Sequence, residues 1–213
     1  MRIAYQTLMF LGLMILAAIP VLARSDMVVL VTDALLMALL VMSLDIVLGY
    51  TGLFNLAQVS LWGSGAYAVV LANLWLGLPT WVALGLSPIA GFLTGLIIGL
   101  LCSRVGKHLF PILTLLVAEI YHRAFMYWST DLGADMGVFV LGEHYDPRLV
   151  YYFVLLACLG SYWISRKAMG SPFGLALRAI RENEMRASFV GSDLRVLRSF
   201  SMAFSGILAG LAG

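Results

Sequence analysis

Apolar stretches about as long as a bilayer is thick recur along this chain, and they exclude most of what a 213-residue polypeptide could otherwise become. They cover residues 3–23, 27–48, 56–77, 80–102, 108–128 and 148–165, and a further one begins near 199. A membrane-crossing helix needs about 20 such residues, because the hydrocarbon core is about 30 Å thick. Only 11% of the residues are charged, against about 25% in a soluble domain, so an ordinary core cannot hide the apolar side chains. The chain reads as an all-α polytopic membrane protein with about six complete transmembrane helices and a truncated seventh. The last stretch, "SFSMAFSGILAGLAG" at 199–213, would make about 22 Å of helix. That is short of a full crossing, so the chain is expected either to stop inside the membrane or to be a fragment of a longer one.

The start, "MRIAYQTLMFLGLMILAAIPVLARS", has the basic beginning, apolar run and small residue (Ala23) of a signal peptide. Its apolar run is long and a second span follows at once, which predicts retention as a first membrane helix. Three parts follow: an N-terminal bundle at 1–165, a polar segment at 166–198 and the start of another helix at 199–213.

Lys and Arg in the loops set orientation. Arg2, the pair Arg104 and Lys107, and the crowd from Arg166 to Arg198 fall on one side when six spans alternate, which makes that side and the N-terminus cytoplasmic. The loop 129–147 carries Asp131, Asp135, Glu143 and Asp146 without Lys or Arg, as an external loop would.

Ionisable residues inside spans are functional candidates, because each is costly in lipid. Glu119 and Arg123 stand four apart in "TLLVAEIYHRAF", on one helix face, with His122 beside them. A pair of opposite sign at that spacing can neutralise itself; it reads as a structural pair facing the bundle or as a polar element of a transport path. Glu119 and His122 also have the spacing of a carboxylate-bridged di-metal site, but no second such pair exists to complete one. Asp33 and Asp45 are twelve residues apart, about 18 Å along a helix, too far for an acid–base dyad. Asp33 is expected to pair inside the bundle and Asp45 to reach the interface. The two cysteines, Cys102 and Cys158, read as small buried apolar residues.

No nucleophile elbow is present, and without a Walker A sequence the chain cannot bind and hydrolyse ATP itself. A membrane-embedded enzyme is disfavoured, because no geometrically plausible catalytic set is present. Energy must come from a partner or from an ion gradient, and the gradient reading would use Asp33, Glu119 and His122 as a proton relay.

The polar segment "RKAMGSPFGLALRAIRENEMRASFVGSDLRVLRS" predicts one charged amphipathic helix over 172–190. Ser171 is its expected N-cap, Pro172 its first residue and Gly191 its stop. Arg178–Glu182 and Glu182–Arg186 are i,i+4 pairs. Basic residues favour an anionic lipid surface. The interleaved Glu182 and Glu184 favour instead a protein partner with its own charge pattern.

Two stretches together resemble one family. "SLDIVLGYTGLFNLAQVSLWGSGAY" at 43–67 and "GSPFGLALRAIRENEMRASFVGSDLRVLRSFSMAFSGILAGLAG" at 170–213 are similar to segments of branched-chain amino acid ABC transporter permeases, a type II importer fold, and "GADMGV" at 133–138 is similar to their external segment. Asp45 stands where that pattern has Asn, Asn55 where it has Ser, and Ala57 where it has Gly. The resemblance implies a bacterial inner-membrane permease working with ABC ATPase subunits, a second related permease and a periplasmic or lipid-anchored binding protein, within membrane lipid. It implies no cofactor, metal or nucleic acid. Urea and short-amide permeases are close relatives, and an inactive truncated fragment is a further alternative.

By the same analogy the helix 172–190 couples to the ATPase, with Arg178, Arg181, Glu182, Glu184 and Arg186 as its contacts. The glycine-rich stretch is expected to pack closely against its neighbours, with Gly63, Ala66 and Tyr67 on one face. It would present Asn55, Gln58 and Trp62 to the substrate path, for which Glu119 is a further candidate.

Overall fold

In a computed structural model of the protein, residues 12, 14, 16–131, 146–189 and 193–213 are described, and among them every regular element is helical. Arg2, most of the expected first span, Asp135, Glu143, the stretch 133–138 and Gly191 lie outside the described residues. Residues 16–22 form α1. Helix α2 (Ser25–Asp45) continues as a π-helix, Ile46–Thr51, and α3 is Gln58–Leu76. The short α4 (Thr80–Ala83) leads through a 3₁₀ turn, Leu84–Leu86, into α5 (Ser87–Cys102). Then come α6 (Phe110–Asp131), α7 (Pro147–Met169), α8 (Pro172–Glu182), α9 (Glu184–Phe189) and α10 (Leu194–Ala212).

Five helical runs are long and apolar enough to cross a membrane: Ser25–Thr51, Gln58–Leu76, Thr80–Cys102, Pro147–Met169 and Leu194–Ala212. The expected span at 108–128 coincides with α6, which has the length at 22 residues but falls outside this group because Glu119, His122 and Arg123 sit within it. The final helix differs from expectation at its start. It begins at Leu194 and not near 199, since the Asp193 carboxylate accepts from the backbone N–H of Arg195 at 2.9 Å and caps it. Its 19 residues make about 28 Å of helix.

Helix α10 is the centre of the bundle. Gly91, Gly95 and Gly99 recur every fourth residue along α5 and put one bare stripe against it. A Cβ on Gly91 would land on the Gly206 carbonyl, and one on Gly99 would come within 2.7 Å of the Ser199 Cα. Small residues at this spacing let membrane helices touch backbone to backbone, where dispersion contacts replace the hydrophobic drive that lipid removes. Gly65 of α3 meets Gly210 in the same way. The close packing expected of the "GSGAY" stretch is therefore made by Gly65, while Gly63 faces a more open side where Phe125 is its nearest neighbour, 3.9 Å from the place of a Cβ.

Helix α7 packs on α2, with Tyr151 fully buried and its hydroxyl donating to the Leu16 carbonyl at 2.6 Å. Asp33 on α2 is exposed, in place of the expected pairing inside the bundle. The ends of α2, α5 and α7, the starts of α6 and α10, and both α8 and α9 gather at one end of the bundle, and this end holds Arg104, Lys107 and the basic residues from Arg166 to Arg198.

Candidate functional site

At the basic end α8 lies against the terminus of α2. Gly174, Leu177 and Ile180 form its buried stripe, and Leu177 packs with Ile46, Met169 and Leu208. Ser171 sits at the N-cap, but its hydroxyl donates back to the Ala168 carbonyl at 2.6 Å and does not cap the helix. The helix expected to run to 190 stops at Glu182. Asn183 takes extended backbone (φ −158°, ψ 105°), and its side-chain oxygen accepts from the Arg186 N–H at 3.0 Å, which starts α9. An Asn side chain competes well for such a role at a helix start, and the break separates Glu182 from Arg186.

Neither expected i,i+4 pair forms, because Arg178 has a partner elsewhere and the break at Asn183 parts Glu182 from Arg186. Arg178 stacks over the Tyr50 ring, 5.1 Å from its centroid. Arg181 donates to the Gly49 carbonyl. That carbonyl belongs to the last turn of the π-helix, where acceptors lack intrahelical partners and a cation is favoured. Gly52 ends this helix at φ 69°, a conformation suited to glycine, and a Cβ there would lie 3.0 Å from the Arg181 side chain and 3.2 Å from Lys107 Nζ. Asp45, Gly49, Tyr50, Arg178, Arg181 and Glu182 line an open cleft of about 610 Å³. Glu184 also turns inward, to Arg198 Nη2 at 2.6 Å. Of the five expected contact residues, Glu182 and Arg186 remain on the open side, beside exposed Leu175, Met185 and Phe189.

Arg198 is a residue that sequence reasoning passed over as one more loop arginine. It is 4% exposed. Its Nη1 donates to the carbonyls of Ser103 at 3.3 Å and Val105 at 3.2 Å, just beyond the C-terminus of α5. One guanidinium thus ties α10, α9 and the α5–α6 turn together.

Deeper in the bundle, Asn55 and Gln58 lie inside and are largely taken up by the protein. The Asn55 amide donates to Gln58 Oε1 at 2.9 Å, and its oxygen accepts from the Ala57 N–H at 2.9 Å. Gln58 Nε2 donates to the hydroxyls of Ser43 and Ser205, the latter at 3.4 Å, and the Ser205 hydroxyl donates to the Ser43 carbonyl at 2.7 Å. This knot joins α2, α3 and α10 and is buried throughout.

Trp62 and Glu119 are instead brought together on an open groove of about 410 Å³ between α3 and α6. Leu56, Val59, Tyr67, Leu115 and Phe125 supply its apolar wall, and Ser60 and His122 are polar on it. Tyr67 stacks on Phe125 with centroids 4.4 Å apart. The Trp62 indole N–H donates to the Ala212 carbonyl at 3.0 Å, so this side chain offers the groove a ring and no donor. Glu119, on the groove, makes an ion pair of 2.8 Å with Arg123, which stands outside the lining, and 54% and 78% of their side chains are exposed.

Comparison with known proteins agrees with this architecture. Residues 27–213 match the family model described as branched-chain amino acid transport system / permease component. Over 98% of its length the chain is 24% identical to the high-affinity branched-chain amino acid transport system permease protein LivM of Escherichia coli strain K12, and it spans 56% of that protein. A probable branched-chain amino acid transport permease protein LivM of Methanocaldococcus jannaschii is 29% identical over 62% of this chain and 40% of its own. A probable LivH permease of the same organism is 42% identical over 29% of this chain. The chain thus spans little more than half the length of the first of these relatives. No solved structure matches it.

Proposed function

Since the chain belongs to the family of permease components of branched-chain amino acid transport systems, we propose that it is a permease subunit of an ATP-driven importer carrying branched-chain amino acids across the bacterial inner membrane. Six membrane helices, α6 included, and a further one at the C-terminal end would form its bundle. The N-terminus and the basic end are cytoplasmic in this reading, in keeping with the clustering of Lys and Arg.

The observation that carries the reading is the seating of α8. A short helix is buried along one stripe on the transmembrane bundle, and two arginines bind it to the end of α2. Its other side presents Glu182, Arg186 and exposed apolar residues to a partner. That partner is an ABC ATPase subunit, and its movement reaches the membrane through Arg178 and Arg181. A second related permease and a periplasmic or lipid-anchored binding protein complete the importer. The groove between α3 and α6 is the wall of the path, with Trp62 and Glu119 on it and the Asn55–Gln58 knot holding α3 behind it.

The test is leucine uptake by proteoliposomes holding the full-length protein with its partner subunits. Uptake that needs ATP and persists with a protonophore supports the reading. Uptake that collapses with the proton gradient and needs no ATPase would replace it with the proton-coupled one.

A further inference from the structure

We propose that Glu119 and Arg123 form an exchangeable ion pair that receives the ammonium and carboxylate groups of a zwitterionic α-amino acid, while the solute's aliphatic side chain lies against the apolar wall of the groove. The inference rests on the permease reading and names the residues that hold the solute.

Three observations converge on it. The pair lies near the middle of α6, where ionisable groups are tolerated when they face water or a polar partner. Among the described residues each of these two side chains has only the other for an ionic partner, and both stay accessible. The adjoining wall is Leu56, Val59, Leu115 and the faces of Trp62 and Phe125, a surface suited to a branched hydrocarbon and lacking the Trp62 donor.

The exchange balances in charge. Before binding, the carboxylate holds the guanidinium. Afterwards the carboxylate holds the solute's ammonium and the guanidinium its carboxylate, each by a charge-assisted hydrogen bond. No counterion is required and no charged group is left alone. An exposed ion pair contributes little in water, so opening it is easy and the site binds weakly, as a transient stop on a path must. Selectivity follows too. A solute with only one of the two ends makes one of the two charge-assisted bonds and is held more weakly.

The experiment uses the full-length chain assembled with its partner subunits. Leu115→Cys on the groove wall, with Cys102→Ala and Cys158→Ala, reports occupancy by its rate of reaction with a maleimide. Leucine is expected to slow labelling at least fivefold, whereas leucinamide (no carboxylate) and 4-methylpentanoate (no ammonium) at equal concentration do not. Glu119→Gln or Arg123→Gln should abolish this protection and lower maximal leucine uptake about tenfold, with thermal stability unchanged. The charge swap Glu119→Arg with Arg123→Glu should restore protection, because the zwitterion can enter reversed.

Equal protection by leucinamide, or unchanged uptake and protection in both single variants, would overturn the proposal. If the unmodified assembly shows no ATP-driven uptake, the permease reading fails, and zwitterion-specific protection still decides the fate of the ion pair.

Discussion

The protein holds two arginine–glutamate pairs among its described residues, and they stand in opposite surroundings. Arg198–Glu184 joins two helices, its guanidinium is nearly enclosed, and it also holds two carbonyls at the end of α5. Glu119–Arg123 lies on one helix, joins no second element, and is exposed beside a groove that Glu119 lines. The physics of the two differs accordingly. Removing one partner of an enclosed pair strands a charge away from water, while opening an exposed pair costs little. The comparison teaches that the first pair belongs to the framework, while the second is free to exchange partners, as the proposed solute site requires.

The largest effect should come from the framework on which both pairs depend. Gly206→Leu would drive a side chain into the Gly91 carbonyl, so α5 and α10 must separate. The expected outcome is loss of a monodisperse species in detergent, read by size-exclusion chromatography. Next, Arg198→Gln strands Glu184, which is partly exposed, and should cost about 2–3 kcal/mol. A fall of several degrees in thermal unfolding would register it, and an unchanged midpoint would erase the contrast between the pairs.

Arg181→Ala removes the cap on the Gly49 carbonyl and should cost about 1 kcal/mol. Its main effect is on coupling: substrate-stimulated ATP hydrolysis in the assembled transporter should drop severalfold while the protein still inserts. Charge reversal at both Arg181 and Glu182 should uncouple it further, and unchanged stimulation in these variants would sink the coupling role of α8. The smallest stability effect belongs to Arg123→Gln, within about 0.5 kcal/mol, checked by the same unfolding assay.

Much of this was legible in the sequence because lipid imposes one simple rule, that a span needs a long apolar run. The spans at 27–48, 56–77, 80–102 and 148–165 each fall on an observed helix, and the i,i+4 spacing of Glu119 and Arg123 gave their ion pair. The breaks were less legible. The start of α10 hid among arginines, since a helix capped by Asp193 carries Arg195 and Arg198 in its first turns as readily as a loop does. The split at Asn183 was signalled only by an Asn inside a charged run.

Tertiary partners were least legible. Gly91, Gly95 and Gly99 spelled a packing stripe, yet "GSGAY" drew the attention and its packed residue was Gly65. Nor does spacing tell that Arg178 and Arg181 turn toward Tyr50 and Gly49 and not along their own helix, or that Asn55 and Gln58 bond to each other. These depend on which residues of α2 and α10 arrive nearby. The final helix and α6 also show that polar residues in a span have two meanings, and burial separates them.

The most direct test sets the two pairs side by side. Thermal unfolding and ATP-driven leucine uptake would be measured on the same assembled transporter carrying Arg123→Gln or Arg198→Gln. The account predicts that Arg123→Gln keeps its unfolding midpoint and loses about tenfold in maximal uptake, whereas Arg198→Gln loses several degrees and transports in proportion to the protein that remains folded. A lowered midpoint with undiminished uptake in Arg123→Gln would contradict it.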